Sequence, residues 1–169
     1  MSMRAVSALE ETLRSVGVTC EQVRTEELED AIVEAAIEPA VATAMEDLGC
    51  SLEDTSITVD PTPAEVWSAH TGITPVGFAI AEYGSLYLPH TADGAEFLRL
   101  FVRHHIAVVR ESAIIDDIDE AFEQLGTDIP AQRTSGIVAT GPSATADMGE
   151  LVRGAHGPET VHVIVVEDR

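Results

Sequence analysis

The last quarter of the chain is the part that most restricts the fold. Gly136-Ile137-Val138-Ala139-Thr140 is a β-branched run that opens into Gly141-Pro142-Ser143-Ala144-Thr145-Ala146-Asp147. A tight turn at His156-Gly157-Pro158 then leads into a second apolar run, Val161-His162-Val163-Ile164-Val165-Val166. Two such runs predict two strands, and strand ends that open into Gly/Ser/Thr turns are where α/β proteins place ligand sites.

The rest of the chain alternates in the same way. Val6, Leu9, Leu13 and Val16 recur at helical spacing up to Gly17, and Thr19 to Arg24 reads as a short strand. Helical spacing resumes from Glu26 to Ala36, Glu38-Pro39 breaks it, and Ala40 to Ala44 reads as a buried strand. A short strand follows at Ile57 to Val59. Thr62 is then placed to cap a helix, with Pro63 first and Glu65 third. Ile73 to Ile80 and Ser85 to Leu88 predict a hairpin around Glu82-Tyr83-Gly84, so the sheet should be mixed. Asp93 to Val102 reads as a helix and Ile106 to Arg110 as a strand. Ile114 to Leu125 predicts an acidic amphipathic helix with Ile115, Ile118, Ala121, Phe122 and Leu125 inward and Gly126 as its stop. Strands alternating with helices predict an α/β fold, three layers around a mixed, mostly parallel sheet. At 169 residues the chain is read as a single domain, 1–169, able to bury roughly two-thirds of its unfolded surface.

Charge excludes several functions. There are 30 acidic residues against 9 basic ones, a formal net charge of −21, and every basic residue is arginine. Without lysine there is no Schiff-base chemistry and no P-loop lysine. Duplex nucleic-acid binding, which needs many cationic contacts to phosphates, is excluded as well. The acidic coat and the absence of lysine and asparagine fit a salt-in halophile's cytoplasmic protein, the alternative being an acidic protein of a mesophile. No run approaches the ~18 apolar residues of a membrane helix. Glu10 and Glu11 interrupt any signal-peptide order, so a cytoplasmic location is expected. Cys20 and Cys50 stand thirty positions apart; they read as small apolar fillers and leave no zinc or iron–sulfur ligand set. No metal and no other cofactor is expected.

Three places carry candidate chemistry. Glu82, at the end of an apolar strand and beside Gly84, is placed to act as nucleophile or general base, or else is a solvated turn glutamate. The Gly141 to Asp147 turn reads as a strand-to-helix junction. Its hydroxyls and free N–H groups either form an anion nest, with Ser143 and Thr145 as donors and Asp147 as an orienter, or simply cap the helix. His156 can donate to a substrate carboxylate or exchange a proton, or be merely solvated. His104 and His105 begin a strand and point oppositely, so they make no metal pair. Arg99, Arg103 and Arg110 can each clamp a carboxylate, though pairing with the abundant acids is the simpler role; Arg99 and Arg103 would share a helical face.

These turns, with Gly72-Ile73-Thr74 and Ala79-Ile80-Ala81-Glu82-Tyr83-Gly84-Ser85-Leu86, resemble the LUD domain, the lactate-utilisation family of LutC-like proteins, over roughly Thr71 to Val166. The resemblance implies a fold like that of the NagB/RpiA/CoA-transferase group, some members of which use a glutamate beside a glycine for acyl chemistry. It also implies a site in which Glu82 and His156 are catalytic and Thr74, Gly84, Ser85, Gly141, Ser143, Thr145, Asp147 and Gly157 bind the substrate. The ligand would be a small organic acid or other small anion. The role implied is that of a substrate-handling or noncatalytic accessory component in the oxidation of L-lactate to pyruvate beside separate iron–sulfur subunits. A stand-alone enzyme acting on a carboxylate or acyl thioester through Glu82, and a sensor of an organic acid, are the alternatives.

Overall fold

The apolar run that closes the sequence becomes β12 (Thr160–Glu167), and its position explains its composition. It lies between two parallel neighbours, β1 (Thr19–Arg24) and β7 (His104–Arg110), so both edges are paired and Val161 and Val163 to Val166 are buried. A computed structural model of the chain describes residues 3–91, 94–132, 135–148 and 150–167, with the side chain of Asp147 left out of the description. β4 (Thr71–Pro75), β2 (Ala40–Ala42) and β3 (Thr58–Val59) extend this sheet in the order β1-β12-β7-β4-β2-β3, every pair parallel.

Side-chain alternation sends the strands' apolar residues to two cores. Ile73, Ile106, Val108, Ile164 and Val166 meet Leu28 and Ile32 of α2 (Leu28–Ala35) and the loop from Met45 to Ile57. Ala107, Val109, Val161, Val163 and Val165 meet Val6, Leu9 and Leu13 of α1 (Met3–Ser15) and a second sheet. That sheet has the order β8-β5-β6-β9, built from β8 (Ile114–Ile115), β5 (Phe78–Ile80), β6 (Ser85–Pro89) and β9 (Gly136–Thr140). β5 and β8 are parallel; β6 is antiparallel to both β5 and β9. The result is an α/β fold layered as helix, parallel sheet, and a helix with a smaller mixed sheet. α5 (Ile118–Gln132) covers the far side of the smaller sheet, around the stacked rings of Phe78 and Tyr87.

Further along the face of the large sheet that meets α1, over β2 and β4, α3 (Pro63–Ser68) starts with the capping box expected of Thr62 and Glu65. α4 (Ala95–Phe101) packs Leu98, with Val102 just beyond it, against Val41, Val66 and Ala69. A β-carbon on Gly72 of β4 would stand 3.1 Å from Val102 and 3.2 Å from the Leu98 carbonyl oxygen, so a bare backbone at Gly72 lets α4 settle onto β4. Among the described residues no helix is long and apolar enough to cross a membrane.

Three expectations need correction, and a fourth cannot be compared. Ile73 to Ile80 is not one strand: Pro75 ends β4 in the large sheet, and β5 starts at Phe78 in the small one. Ile114 and Ile115 form β8, and α5 begins only at Ile118. It runs through Gly126 to Gln132, because a lone glycine weakens a helix without ending it, and Phe122 is 65% exposed instead of inward. No helix follows the Gly141 turn. Ala144 to Asp147 is β10 (Ala144–Asp147), paired in an antiparallel ribbon with β11 (Glu150–Arg153), so there is no helix for Ser143 or Thr145 to cap. The last, Asp93 as the start of a helix, lies outside the described residues.

Candidate functional site

β9 and β12 deliver the two sequence turns to one place. Gly141 follows β9 with φ of +68°, and a β-carbon there would lie 3.0 Å from the Val16 carbonyl oxygen at the end of α1. Only glycine allows the turn to rest so close to that helix end. The Ser143 N–H donates to the Pro158 carbonyl at 2.8 Å, and the Gly154 N–H donates to the Ser143 carbonyl at 3.0 Å. Main-chain hydrogen bonds thereby hold Gly141-Pro142-Ser143 against His156-Gly157-Pro158.

Beside these turns is a cavity of about 280 Å³ between the smaller sheet and the large one. Its apolar lining includes Leu13, Val18, Leu86, Leu88 and Val161, and its polar lining Arg99, His105, Thr140, Ser143 and His156. His105 and Val161 are each the second residue of their strands, so the cavity lies at the amino ends of β7 and β12. Open α/β sheets ordinarily bind ligands at the opposite end.

Of the residues singled out from sequence, Gly84, Gly141, Ser143, His156 and Gly157 line this cavity. Two stand one step behind it. Thr74, fully buried, shares a 2.9 Å hydrogen bond with His105 Nε2, and Ser85 shares one of 2.7 Å with the hydroxyl of Thr140. Thr145 sits opposite Val152 in the ribbon and is not part of the lining. Asp147 has its backbone in β10 and its side chain outside the description. Glu82 is exposed on the turn after β5, its N–H donating to the Asp116 carbonyl at 3.1 Å, and does not line the cavity. The expected anion nest is also altered, since the Ser143 N–H is already engaged by Pro158.

Two further lining residues, His105 and Arg99, were weighed in the sequence for other reasons, His105 as half of a rejected metal pair and Arg99 as one of three arginines able to clamp a carboxylate. His105 is 2% exposed, and burial, assisted by the charge of Arg99, pulls its pKa down to about 3. It is a neutral imidazole at ordinary pH. Arg99 has a buried Nη1 with no hydrogen-bond partner, and burial pulls the guanidinium below its ordinary value. The other arginines considered behave differently: Arg103 pairs with Glu159 at 3.5 Å and Arg110 donates to the Asp47 carbonyl. Nor do Arg99 and Arg103 share a helical face, because α4 ends at Phe101. Strand alternation alone predicts that His105 opposes His104, but only the docking of α4 shows which cavity it enters.

The remaining histidines of the strands are structural. His104 Nδ1 lies 2.8 Å from the Thr160 hydroxyl; His162 bridges the Thr19 hydroxyl at 2.7 Å and Glu21 at 2.8 Å. Among the described residues no three of His, Cys, Asp and Glu are grouped to hold a metal ion. Cys50 lies in the core beneath α2 and Cys20 packs against the other core, and burial raises their thiols to about 11 and about 12.

Comparison with known proteins agrees with the turns. The sequence profile of the LUD domain matches residues 60–166. Lactate utilization protein C of Deinococcus radiodurans is 40% identical over 106 residues, which are 61% of this chain and 49% of that protein. Its counterpart from Bacillus subtilis is 31% identical over 109 residues, 60% of this chain and 44% of that one. Lactate utilization protein B of Shouchella clausii is 30% identical over 109 residues, 62% of this chain but 22% of its own length. The chain therefore spans about half the length, or less, of these curated relatives. The crystal structure of a DUF162 family protein from Deinococcus radiodurans superimposes with a TM-score of 0.74 at 24% identity, covering 98% of this chain and 99% of that one, and so shares the fold. With the profile match extending over more than half of its residues, the chain belongs to the LUD domain family.

Proposed function

We propose that this chain takes part in lactate utilisation by binding a small organic acid, lactate or pyruvate, in the cavity beside the Gly141 and His156 turns. The observation that carries this reading is the convergence of both turns on one cavity, where Ser143 and His156 are hydrogen-bonding groups in a chain of net charge −21. An anion site on so acidic a protein needs local donors. Support from relatives is nominal but consistent, since those matched are named lactate utilization proteins C and B. The finer role is that of a substrate-handling component. Cys50 is buried in one core and Cys20 packs against the other, so electron transfer during lactate oxidation is assigned to separate iron–sulfur subunits. Acyl chemistry through Glu82 has no observation behind it, because that carboxylate is exposed and outside the lining.

Isothermal titration with lactate, pyruvate and phosphate tests the site. Ser143→Ala and His156→Ala are expected to weaken binding of lactate or pyruvate by roughly tenfold each, about the worth of one hydrogen bond to a charged ligand. Thr145→Ala, outside the lining, should leave it unchanged. Affinities that follow Thr145 and ignore Ser143 and His156 would place the ligand elsewhere.

A further inference from the structure

Arg99 is the half-buried cation of the cavity wall, with its Nη1 buried. A guanidinium removed from water carries a penalty of several kcal/mol unless a partner anion compensates it. Partners are abundant here, with 30 acidic side chains, and Arg24 takes both Glu26 and Glu27 while Arg103 takes Glu159. Among the described residues none pairs with Arg99, and its Nη1 is buried without a hydrogen-bond partner. The carboxylate one turn earlier on α4, that of Glu96, sits instead 3.0 Å from His90 Nδ1. α4 cannot easily rotate to correct this, because Leu98 and Val102 are locked into the core over Gly72. The neighbouring lining residue, His105, is fixed by Thr74 and contributes no second charge.

We propose that Arg99 is the residue that binds the ligand's carboxylate in this cavity, and that one half-buried guanidinium in an acidic protein selects monocarboxylates over dicarboxylates and phosphate. This deepens the small-acid reading of the cavity and rests on it. The planar fork of the guanidinium matches a carboxylate with two parallel N–H···O bonds. Ser143 and His156 then contact the rest of the ligand from the turns. A dianion would bring one negative charge more than the cavity's half-buried cation neutralises, against the repulsion of a −21 surface. The cavity of about 280 Å³ accommodates roughly nine waters at ~30 Å³ each, ample for a three-carbon acid.

The test uses the whole chain, wild type and the variants Arg99→Met and Arg99→Lys, with acetate, lactate, pyruvate, malonate and phosphate at constant KCl. Titration calorimetry should show Arg99→Met weakening lactate or pyruvate by roughly tenfold to a hundredfold, the size of a lost charge-assisted bond. Arg99→Lys should recover part of it. Malonate and phosphate should bind the wild type at least about tenfold more weakly than lactate. Thermal melting gives a readout that a structural arginine would not: without ligand, Arg99→Met should melt at or above the wild type, because it removes a partly desolvated charge that no anion compensates. Added lactate should raise the wild-type melting temperature and leave Arg99→Met unmoved.

The outcomes separate the two ideas. If Arg99→Met binds lactate within twofold of wild type while Ser143→Ala and His156→Ala do not, the carboxylate anchor is wrong and the cavity reading stands. If acetate binds through Arg99 but lactate and pyruvate bind no better, the anchor stands and the lactate reading falls. Dianions bound as tightly as lactate overturn the charge selection, an Arg99→Met protein that melts below wild type with unchanged affinity makes Arg99 structural, and a wild type that binds no carboxylate overturns both proposals.

Discussion

His105 occupies the second position of β7, where alternation turns it away from His104 and into the cavity, and its burial has a consequence for pH. Its folded pKa of about 3 lies below the ordinary 6.5, so between those values the unfolded chain binds a proton that the folded chain refuses. The stability it confers is complete above pH 6.5 and is lost as pH falls towards 3. His105→Asn cannot titrate. Urea unfolding at pH 7.5 and 4.5 should therefore show the wild type losing about 2–3 kcal/mol more than the variant, from about 1.36 kcal/mol per unit of pKa difference. Equal losses would mean that the imidazole is hydrated in solution. Thiol chemistry offers a second check at this scale. Cys20 and Cys50, raised to about 12 and about 11 by burial, should react with a disulfide reagent at pH 8 far more slowly than after denaturation. Single residues were legible in the sequence only where a turn announced them. Ser143 and His156 sit in glycine–proline turns, and both reach the cavity. Arg99 had no such mark; along the chain it looks like any arginine near acids, and its isolation exists only once α4 is docked.

That docking belongs to the next scale. Gly72 is not part of the lining of this cavity, yet it sets the distance between α4 and β4. Gly72→Ala would press a methyl group against Val102 and the Leu98 carbonyl, which must shift by tenths of an ångström. A destabilisation of about 1–3 kcal/mol is expected, as for overpacked cores, together with weaker lactate binding through a displaced Arg99. Chemical denaturation and titration of the same preparation check both; a stable variant with full affinity would show that α4 is positioned by other contacts. Elements were legible where local pattern and final environment coincide. Thr62-Pro63-Ala64-Glu65 carries its own capping chemistry, and α3 begins there. β12 needs parallel neighbours, and its β-branched run says so. The ribbon of β10 and β11 failed this test. Ala144-Thr145-Ala146 has no strand-like period, and its pairing with Glu150 to Arg153 is a property of two segments together. The break between β4 and β5 was hidden for a related reason: Pro75 and Gly77 lie inside a run of apolar residues whose composition suits a strand on either side.

The whole molecule is dominated by its charge. With 30 acidic and 9 basic side chains, the ion pairs at Arg24 and Arg103 can neutralise only a small part of the surface. The uncompensated carboxylates repel one another more strongly when folded than when the chain is expanded, so low salt works against the native state. The Debye length is about 10 Å at 0.1 M and about 3 Å at 1 M, so molar KCl removes repulsion between all but adjacent charges. The surface ion pairs lost by the same screening are worth less than about 1 kcal/mol each and are few beside the acids. The melting temperature should accordingly rise as KCl goes from about 0.1 M to about 2 M. KCl is the salt to use, because sulfate would strengthen apolar burial in any protein and hide the cause. Screening also bears on the site, since a carboxylate approaching this surface meets net repulsion that salt relieves. The association rate for lactate should therefore increase with KCl while dissociation, governed by contacts inside the cavity, changes little. A melting temperature that is flat or falling from 0.1 to 2 M KCl would remove both the electrostatic account and the expectation of a protein adapted to molar salt, leaving the acidic composition without a physical role in stability.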